Sequence, residues 1–113
     1  MPDDHHSPKQ NHLLKSMPSE EYERIFPHLE LVEMPLGEVL YESGEKLHYV
    51  HFPMDCIISL LYVMENGASA EIAVVGFEGA IGIALFVGGQ TMPNRAVVQS
   101  AGYSYRIRQN LFM

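Results

Sequence analysis

Short apolar runs separated by glycine, proline and asparagine dominate the sequence after Leu29. Such runs, four to nine residues long and bounded by turn-forming residues, are typical of β-strands. Asn66-Gly67 lies between two of the runs and predicts a tight hairpin. The pattern predicts an antiparallel β-roll, sandwich or jelly roll. The runs span residues 29–34, 38–41, 48–53, 56–64, 70–75, 95–100 and 103–108.

The first part of the chain has a helical pattern instead. Residues 11–27 predict short helices, because Tyr22 and Ile25 have the spacing of one apolar helix face. Ser19 is the predicted cap of the second helix, since two glutamates follow it where the helix dipole favours negative charge. Pro27 is expected to end that helix.

Three further segments have weaker patterns. Residues 1–10 contain two prolines, two aspartates and two adjacent histidines, and are expected to form a disordered tail. Residues 80–87 predict either a strand or a short buried helix. Residues 109–113 are typical of the first turn of a helix.

Length and composition favour one globular domain. A chain of 113 residues with 47% hydrophobic residues can bury a core without disulfides or metal. The single cysteine, Cys56, excludes an intrachain disulfide, favours a reducing compartment and is expected to be buried. The longest apolar stretches, 56–64 and 80–87, are far shorter than the roughly 20 residues of a membrane helix. We expect a cytoplasmic protein with no membrane partner.

The charge distribution bears on function. A net charge of −7 argues against autonomous nucleic-acid binding, which needs basic side chains to neutralise phosphates. All 14 acidic residues lie at or before Glu78, whereas residues 79–113 carry only Arg95, Arg106 and Arg108 as charged side chains. This asymmetry places an anion site near the C-terminal end, although chance could also produce it with so few charges.

Three segments carry a resemblance to a known family. Residues 13–27 match an opening helical pair, and residues 35–45 (PLGEVLYESGE) match a Gly-x-x-Leu/Ile-x-x-x-Gly-Glu/Asp motif. Residues 79–100 (GAIGIALFVGGQTMPNRAVVQS) match a phosphate-binding cassette written Gly-Glu-x-Ala/Gly-Leu-Phe…Arg-Ser/Thr/Ala-Ala-x-Val. In this order they resemble the N-terminal sensor domain of Crp/Fnr-family bacterial transcription regulators. The resemblance implies a mainly β fold, a cyclic-nucleotide-binding-like double-stranded β-roll with short flanking helices, over residues 11–113.

The resemblance also implies an effector site in the cassette. Backbone N–H groups at the start of a short helix suit a phosphate, and an arginine from the next strand supplies charge-assisted hydrogen bonds. The implied ligand is a cyclic nucleotide or another small anionic effector, with no metal. The alternative is that the arginine is a strand residue paired with a local acid. The implied effector- or phosphate-binding residues are Gly82, Ile83, Ala84, Leu85, Arg95 and Ala96.

The cassette departs from that of the cyclic AMP binders. Those members carry a glutamate for the ribose hydroxyl two residues before the Ala/Gly-Leu-Phe element, where this chain has Gly82. Glu78 lies four residues upstream and out of register, and the loop over residues 87–94 is longer than in those members. A missing buried acceptor costs about 1–3 kcal/mol of binding. We therefore do not expect a standard cyclic AMP binder.

The resembled regulators continue with a long dimerisation helix and a helix-turn-helix domain. Here the sequence ends at Met113, where that helix would begin. We expect a homodimer in the full-length protein and DNA contact only through a C-terminal domain absent here. The chain is then either a piece of a longer regulator or a stand-alone sensor. The hypothesis is allosteric, with the effector shifting the population of the DNA-competent dimer.

Two alternatives compete with effector sensing. One is a β-roll that binds no ligand and serves as a scaffold or dimerisation module, for which the apolar residues Leu111 and Phe112 could provide a surface. The other is a cupin-like metal enzyme using His48 and His51 with two acids, Asp55 and Glu71. Because an odd spacing on a strand directs side chains to opposite faces, this pair is a poor metal site, and we expect no enzyme.

Overall fold

The computed structural model describes residues 7–44, 48–82 and 94–112. Within these ranges the chain forms short helices at both ends and β-strands between them. Two 3₁₀ turns, Pro8–Gln10 and Phe26–His28, flank the first helices. The helices are α1 (His12–Lys15), α2 (Ser19–Ile25) and α3 (Gln109–Phe112), and the strands are β1 (Glu30–Met34), β2 (Val39–Tyr41), β3 (Tyr49–Pro53), β4 (Ile57–Val63), β5 (Ser69–Val75), β6 (Arg95–Ser100) and β7 (Gly102–Arg108).

The strands form two antiparallel sheets, so the predicted mainly β roll is confirmed. One sheet has the order β1-β7-β3 and the other the order β2-β6-β4-β5. Each strand lies within one residue of the run that predicted it. The Asn66-Gly67 hairpin is also confirmed, because Met64 N donates to Ala68 O at 2.8 Å across the turn. Gly67 takes a φ of 86°, which favours glycine.

Two apolar clusters stabilise the roll, one on each side of the β1-β7-β3 sheet. The first occupies part of the space between the two sheets, which we call the roll interior, and contains Met34, Tyr41, Cys56, Ile58, Ile81, Ala96 and Val98. The second joins the outer face of β3 and β7 to the helices and contains Leu14, Ile25, Val50, Phe52 and Ile107. The prediction that Cys56 is buried is confirmed.

The helix caps differ from the prediction. Ser19 is the first residue of α2 rather than its cap; Pro18 occupies the cap position and makes no side-chain hydrogen bond. The side-chain cap lies one helix earlier, where Asn11 Oδ1 accepts from the N–H groups of Leu13 and Leu14 at 3.0 and 3.1 Å. Because Asn11 is fully buried, this cap also anchors α1 in the fold.

Strand β4 is internal in its sheet, and although its sequence is almost wholly apolar it is not buried along its whole length. Ile57, Tyr62 and Val63 are exposed, whereas Ile58 and Ser59 are buried. The strand therefore covers the roll interior with one part of its length and leaves apolar side chains at the surface elsewhere.

The terminal segments pack on the fold. Pro8 is buried in its 3₁₀ turn, and residues 1–6, in the segment expected to form a tail, lie outside the described residues. The predicted C-terminal helical turn is present as α3, and Arg24 of α2 donates to the carbonyl oxygens of Leu111 and Phe112 at 3.0 and 2.9 Å. Among the described residues, no helix is long and apolar enough to cross a membrane.

Candidate functional site

The loop that leads into the predicted cassette is held on two sides. Asn11 Nδ2 donates to Gly79 O at 2.8 Å and to Pro53 O at 2.7 Å, so α1, β3 and the loop share one buried amide. Ile81 then forms a bridge to His51, with N···O distances of 2.8 and 3.0 Å. The backbone just before Gly82 is therefore fixed to β3.

Gly82 is the first predicted site residue and is buried. Its φ of 106° lies in the region that side-chain-bearing residues rarely adopt. The glutamate of the resembled cyclic AMP binders would therefore be strained at this position. The predictions for Ile83, Ala84 and Leu85 lie outside the described residues.

Arg95 begins β6 and pairs with an acid from the β2 end. Its Nε lies 3.0 Å from Glu42 Oε1, and the two side chains are 35% and 51% exposed. The Nε atom itself is buried and has no hydrogen bond of good geometry within the described residues. The local ion pair that the sequence left open is therefore present. It is half exposed and, like other such pairs, contributes little to stability.

The remaining predicted residue, Ala96, lies in the roll interior rather than at an accessible surface. Its methyl group is fully buried beside the first apolar cluster. The neighbouring Asn94 accepts a hydrogen bond from the Tyr41 hydroxyl at 2.9 Å, and burial raises the pKa of Tyr41 to about 12. This hydroxyl stays protonated at physiological pH and joins β2 to the start of β6.

Glu78 lies close in sequence to the cassette but is engaged elsewhere. Its Oε1 accepts from the backbone N–H of Gly76 at 3.1 Å, which closes the turn between β5 and Ile81. This contact agrees with the out-of-register position that the sequence indicated.

A cavity of about 670 Å³ opens between the two sheets at the edge formed by β1, β2 and β3. We call it the polar cavity. None of Gly82, Arg95 or Ala96 lines it. Its lining residues are Leu31, Val32, Glu33, Met34, Glu38, Val39, Leu40, Tyr41, His48, Tyr49, His51 and Arg106.

A row of three polar residues crosses the β1-β7-β3 sheet on its interior face. Arg106 is the register partner of Glu30 on one side and of His51 on the other. Arg106 Nε donates to Glu30 Oε1, and the guanidinium carbon lies 4.1 Å from the centre of the Tyr49 ring. The row therefore combines an ion pair, a cation–π contact and an imidazole in adjacent strands.

His51 is the most buried titratable group of this row, with 6% of its surface exposed. Burial, with a smaller contribution from the charge of Arg106, lowers the pKa of His51 to about 4. Its Nδ1 atom has no hydrogen-bond partner among the described residues. The imidazole is neutral at pH 7 and retains one unused hydrogen-bonding atom.

The two histidines of the metal alternative both line the polar cavity but differ in burial. His48 is exposed before β3, whereas His51 is buried on the interior face. Within residues 7–44, 48–82 and 94–112, no group of three or more His, Cys, Asp or Glu side chains could hold a metal ion.

Sequence reasoning missed several residues of this region. Asn11, Glu42 and Tyr41 act through partners more than 40 residues away, and no local pattern indicates such contacts. Arg106 was noted only as one of three late basic residues, and nothing in the sequence indicated its pairing with His51.

Comparison with known proteins was informative only at the level of structure. No protein-family model matches the sequence, and no curated protein is similar to it. The sensor domain of the transcriptional regulator DNR from Pseudomonas aeruginosa matches with a TM-score of 0.77 and 13% identity, over 92% of this chain and 70% of that chain. A cyclic nucleotide-binding-like protein from Brucella abortus matches with a TM-score of 0.71 and 20% identity, over 88% and 85% of the two chains.

A third structural neighbour contains a bound ligand. It is a mutant regulatory subunit of a cAMP-independent protein kinase A from Trypanosoma brucei, bound to cAMP in its A site. The TM-score is 0.77 at 12% identity, over 89% of this chain and 37% of that chain. At such identities the likeness establishes the fold: this chain has the cyclic-nucleotide-binding-like β-roll found in sensor domains of transcriptional regulators.

Proposed function

We propose that the chain is the effector-sensing domain of a Crp/Fnr-type transcription regulator and is not an enzyme. Its effector is a small anion, and the residues that hold it are Gly82, Ile83, Ala84, Leu85, Arg95 and Ala96. Another domain of the regulator contacts DNA. The full-length regulator acts as a homodimer.

The observation that carries this proposal is the state of Arg95. The side chain is partly exposed, and its described charged partner is a carboxylate that is itself half exposed. Its buried Nε lacks a well-oriented hydrogen bond among the described residues. A phosphate or carboxylate that displaces Glu42 would gain the planar guanidinium as a charge-assisted donor. Without effector, the Glu42 carboxylate therefore occupies the position on Arg95 that the anionic group of the effector would take.

Two structural features disfavour cyclic AMP binding in the standard mode. The φ of Gly82 opposes a side chain at the position of the ribose-binding glutamate, and Glu78 is used by the turn at Gly76. An anion held without a ribose contact, whether a modified nucleotide or another small acid, fits these residues better. The cAMP seen in one structural neighbour supports an anion site in this fold without specifying the ligand.

Signal transfer would use the contacts that tie the cassette to the helices. Asn11 links the loop before Gly82 to α1, and Arg24 links α2 to α3. An effector that repositions Gly82 would act on α1 directly through this buried amide. The consequence for the regulator is a shifted population of the dimer that binds DNA.

The test is thermal unfolding of the chain with cyclic AMP, cyclic GMP and inorganic phosphate. A ligand at 100 times its dissociation constant stabilises by about 2.7 kcal/mol, which raises the midpoint by roughly 10 °C for a domain of this size. We expect a rise with at least one anion, and loss of the rise in Arg95→Ala. Glu42→Gln should bind the same anion more tightly, because it removes the competing carboxylate.

Arg24→Ala is the matched control, since Arg24 is also an arginine paired with a partly exposed glutamate. It should keep the full ligand-induced rise. A rise that survives in Arg95→Ala would contradict the proposed site. No rise with any of the three anions, in a chain that melts cooperatively, would favour the scaffold alternative.

A further inference from the structure

The polar cavity has the properties of a binding site. Its volume of about 670 Å³ lies within the roughly 300–1,000 Å³ typical of small-molecule sites. Of the proposed effector-site residues that the structure describes, none contributes to its lining.

His51 supplies the first indication of a ligand. The side chain lines the cavity and is more than nine-tenths buried, yet Nδ1 lacks a partner among the described residues. Buried polar atoms are almost always hydrogen-bonded, so an unpartnered one beside a cavity calls for a partner within that cavity. A hydroxyl suits it, because a hydroxyl can donate to or accept from the imidazole in either tautomer.

Arg106 supplies the second indication. Glu30 occupies its Nε, and no described residue accepts a hydrogen bond from its terminal nitrogens. Those nitrogens present two parallel donors of the kind that match a carboxylate. Because Arg106 and His51 are register partners, their Cα atoms are only about 4.5–5.5 Å apart. A carboxylate and a hydroxyl on adjacent carbon atoms would match this spacing.

The other lining residues indicate the polarity and charge of the rest of the ligand. Val32, Met34 and Leu40 supply apolar lining beside the polar row. Glu38, just before β2, also lines the cavity and is exposed. Its charge disfavours a second negative charge on the ligand, so the tail of the ligand should be uncharged and apolar.

We propose that the polar cavity binds a 2-hydroxycarboxylate with a short apolar tail, its carboxylate on Arg106, its hydroxyl on His51 and its tail against Val32 and Leu40. The ligand carries one negative charge. The residues assigned to these contacts all belong to the described part of one chain, and neither Gly82 nor Arg95 is among them.

The experiment is isothermal titration of the chain at pH 7 with 2-hydroxyhexanoate, hexanoate and 1,2-hexanediol. These probes share the tail and differ in the carboxylate and the hydroxyl. We expect 2-hydroxyhexanoate to bind about tenfold more tightly than either of the others, because each of them leaves one polar group unmet. Equal affinity for all three, or no binding of 2-hydroxyhexanoate at about 10 mM, would overturn the proposal.

Variants assign the two contacts. Arg106→Gln should weaken 2-hydroxyhexanoate about tenfold, and His51→Leu should bind 2-hydroxyhexanoate and hexanoate equally. Leu40→Phe keeps both polar groups and narrows the cavity, so it should also weaken binding. This variant tests whether the cavity is the binding site if Arg106→Gln does not fold. Arg24→Ala should bind as the native chain does, because Arg24 does not line the cavity. Loss of binding in Arg24→Ala, or full binding in Arg106→Gln, would refute this site without affecting the cassette proposal.

Discussion

The two faces of the β1-β7-β3 sheet differ sharply although they alternate along the same strands. On the face toward the helices, Val50, Phe52 and Ile107 are fully buried with apolar neighbours. On the interior face, the residues between them include His51 and Arg106, which border the polar cavity. Successive side chains of β3 and β7 therefore point in turn to the packed apolar cluster and to the group of hydrogen-bonding side chains.

The difference shows how a small roll can carry both a core and a site in the same strands. Side chains at successive positions of a strand point to opposite faces. The helix-facing side chains stabilise the fold because apolar surface is buried there. The interior polar side chains destabilise it because they are held away from water. If this division is correct, substitutions on the two faces should differ in size and in their dependence on pH.

The largest effect is expected on the helix-facing side. Phe52→Ala should lower the free energy of unfolding by about 3–5 kcal/mol, because it leaves a void between the sheet and Phe112. Phe77→Ala is the control, since Phe77 is 49% exposed, and should cost less than about 1 kcal/mol. Urea unfolding measures both values. Similar losses for the two variants would show that the helix-facing cluster does not dominate stability.

An intermediate effect is expected from His51 on acidification. The folded pKa of about 4 lies below the ordinary value of 6.5, so between these pH values the unfolded chain binds a proton that the folded chain does not. Stability should therefore fall as pH decreases through this window, by up to about 3 kcal/mol from this group.

The measurement compares urea unfolding of the native chain and of His51→Gln at pH 7 and pH 4.5. Glutamine does not titrate, so the variant should lose less stability on acidification than the native chain. Equal losses in the two proteins would mean that His51 is not buried in its neutral form.

The smallest effect is expected from the ion pair on the interior face. Arg106 and Glu30 contact each other at the cavity rim, but the Glu30 side chain is 57% exposed. A double-mutant cycle with Glu30→Gln and Arg106→Gln should give a coupling free energy below about 1 kcal/mol. A larger coupling would indicate that this pair stabilises the sheet and would weaken the functional interpretation of Arg106.

Much of the fold was predictable because strands and turns depend on local patterns. The alternating runs predicted each strand within one residue, and Asn66-Gly67 predicted the hairpin between β4 and β5. The exposure of Ile57 and Tyr62 was not predictable, since an apolar run does not show which of its residues have a partner on each face. The side-chain cap was assigned to Ser19 instead of Asn11, because the glutamates after Ser19 gave a stronger local pattern.

The candidate site was less predictable. The family resemblance led to Gly82 and Arg95, and their backbone and ion-pair states could come only from the structure. The sequence alone could not identify Glu42 as the partner of Arg95, because their proximity depends on the pairing of β2 with β6. The row formed by Glu30, Arg106 and His51 depends on strand order and register, which the separate runs do not specify.

The buried amide of Asn11 has a consequence for the order of folding. Its acceptors, Pro53 and Gly79, lie 42 and 68 residues further along the chain. Until β3 and the loop at Gly79 have formed, α1 lacks both anchors, and a helix of four residues is not stable alone. Helix α1 is therefore among the last elements to reach its native position. During synthesis it must wait until the 68 residues that separate Asn11 from Gly79 have left the ribosome.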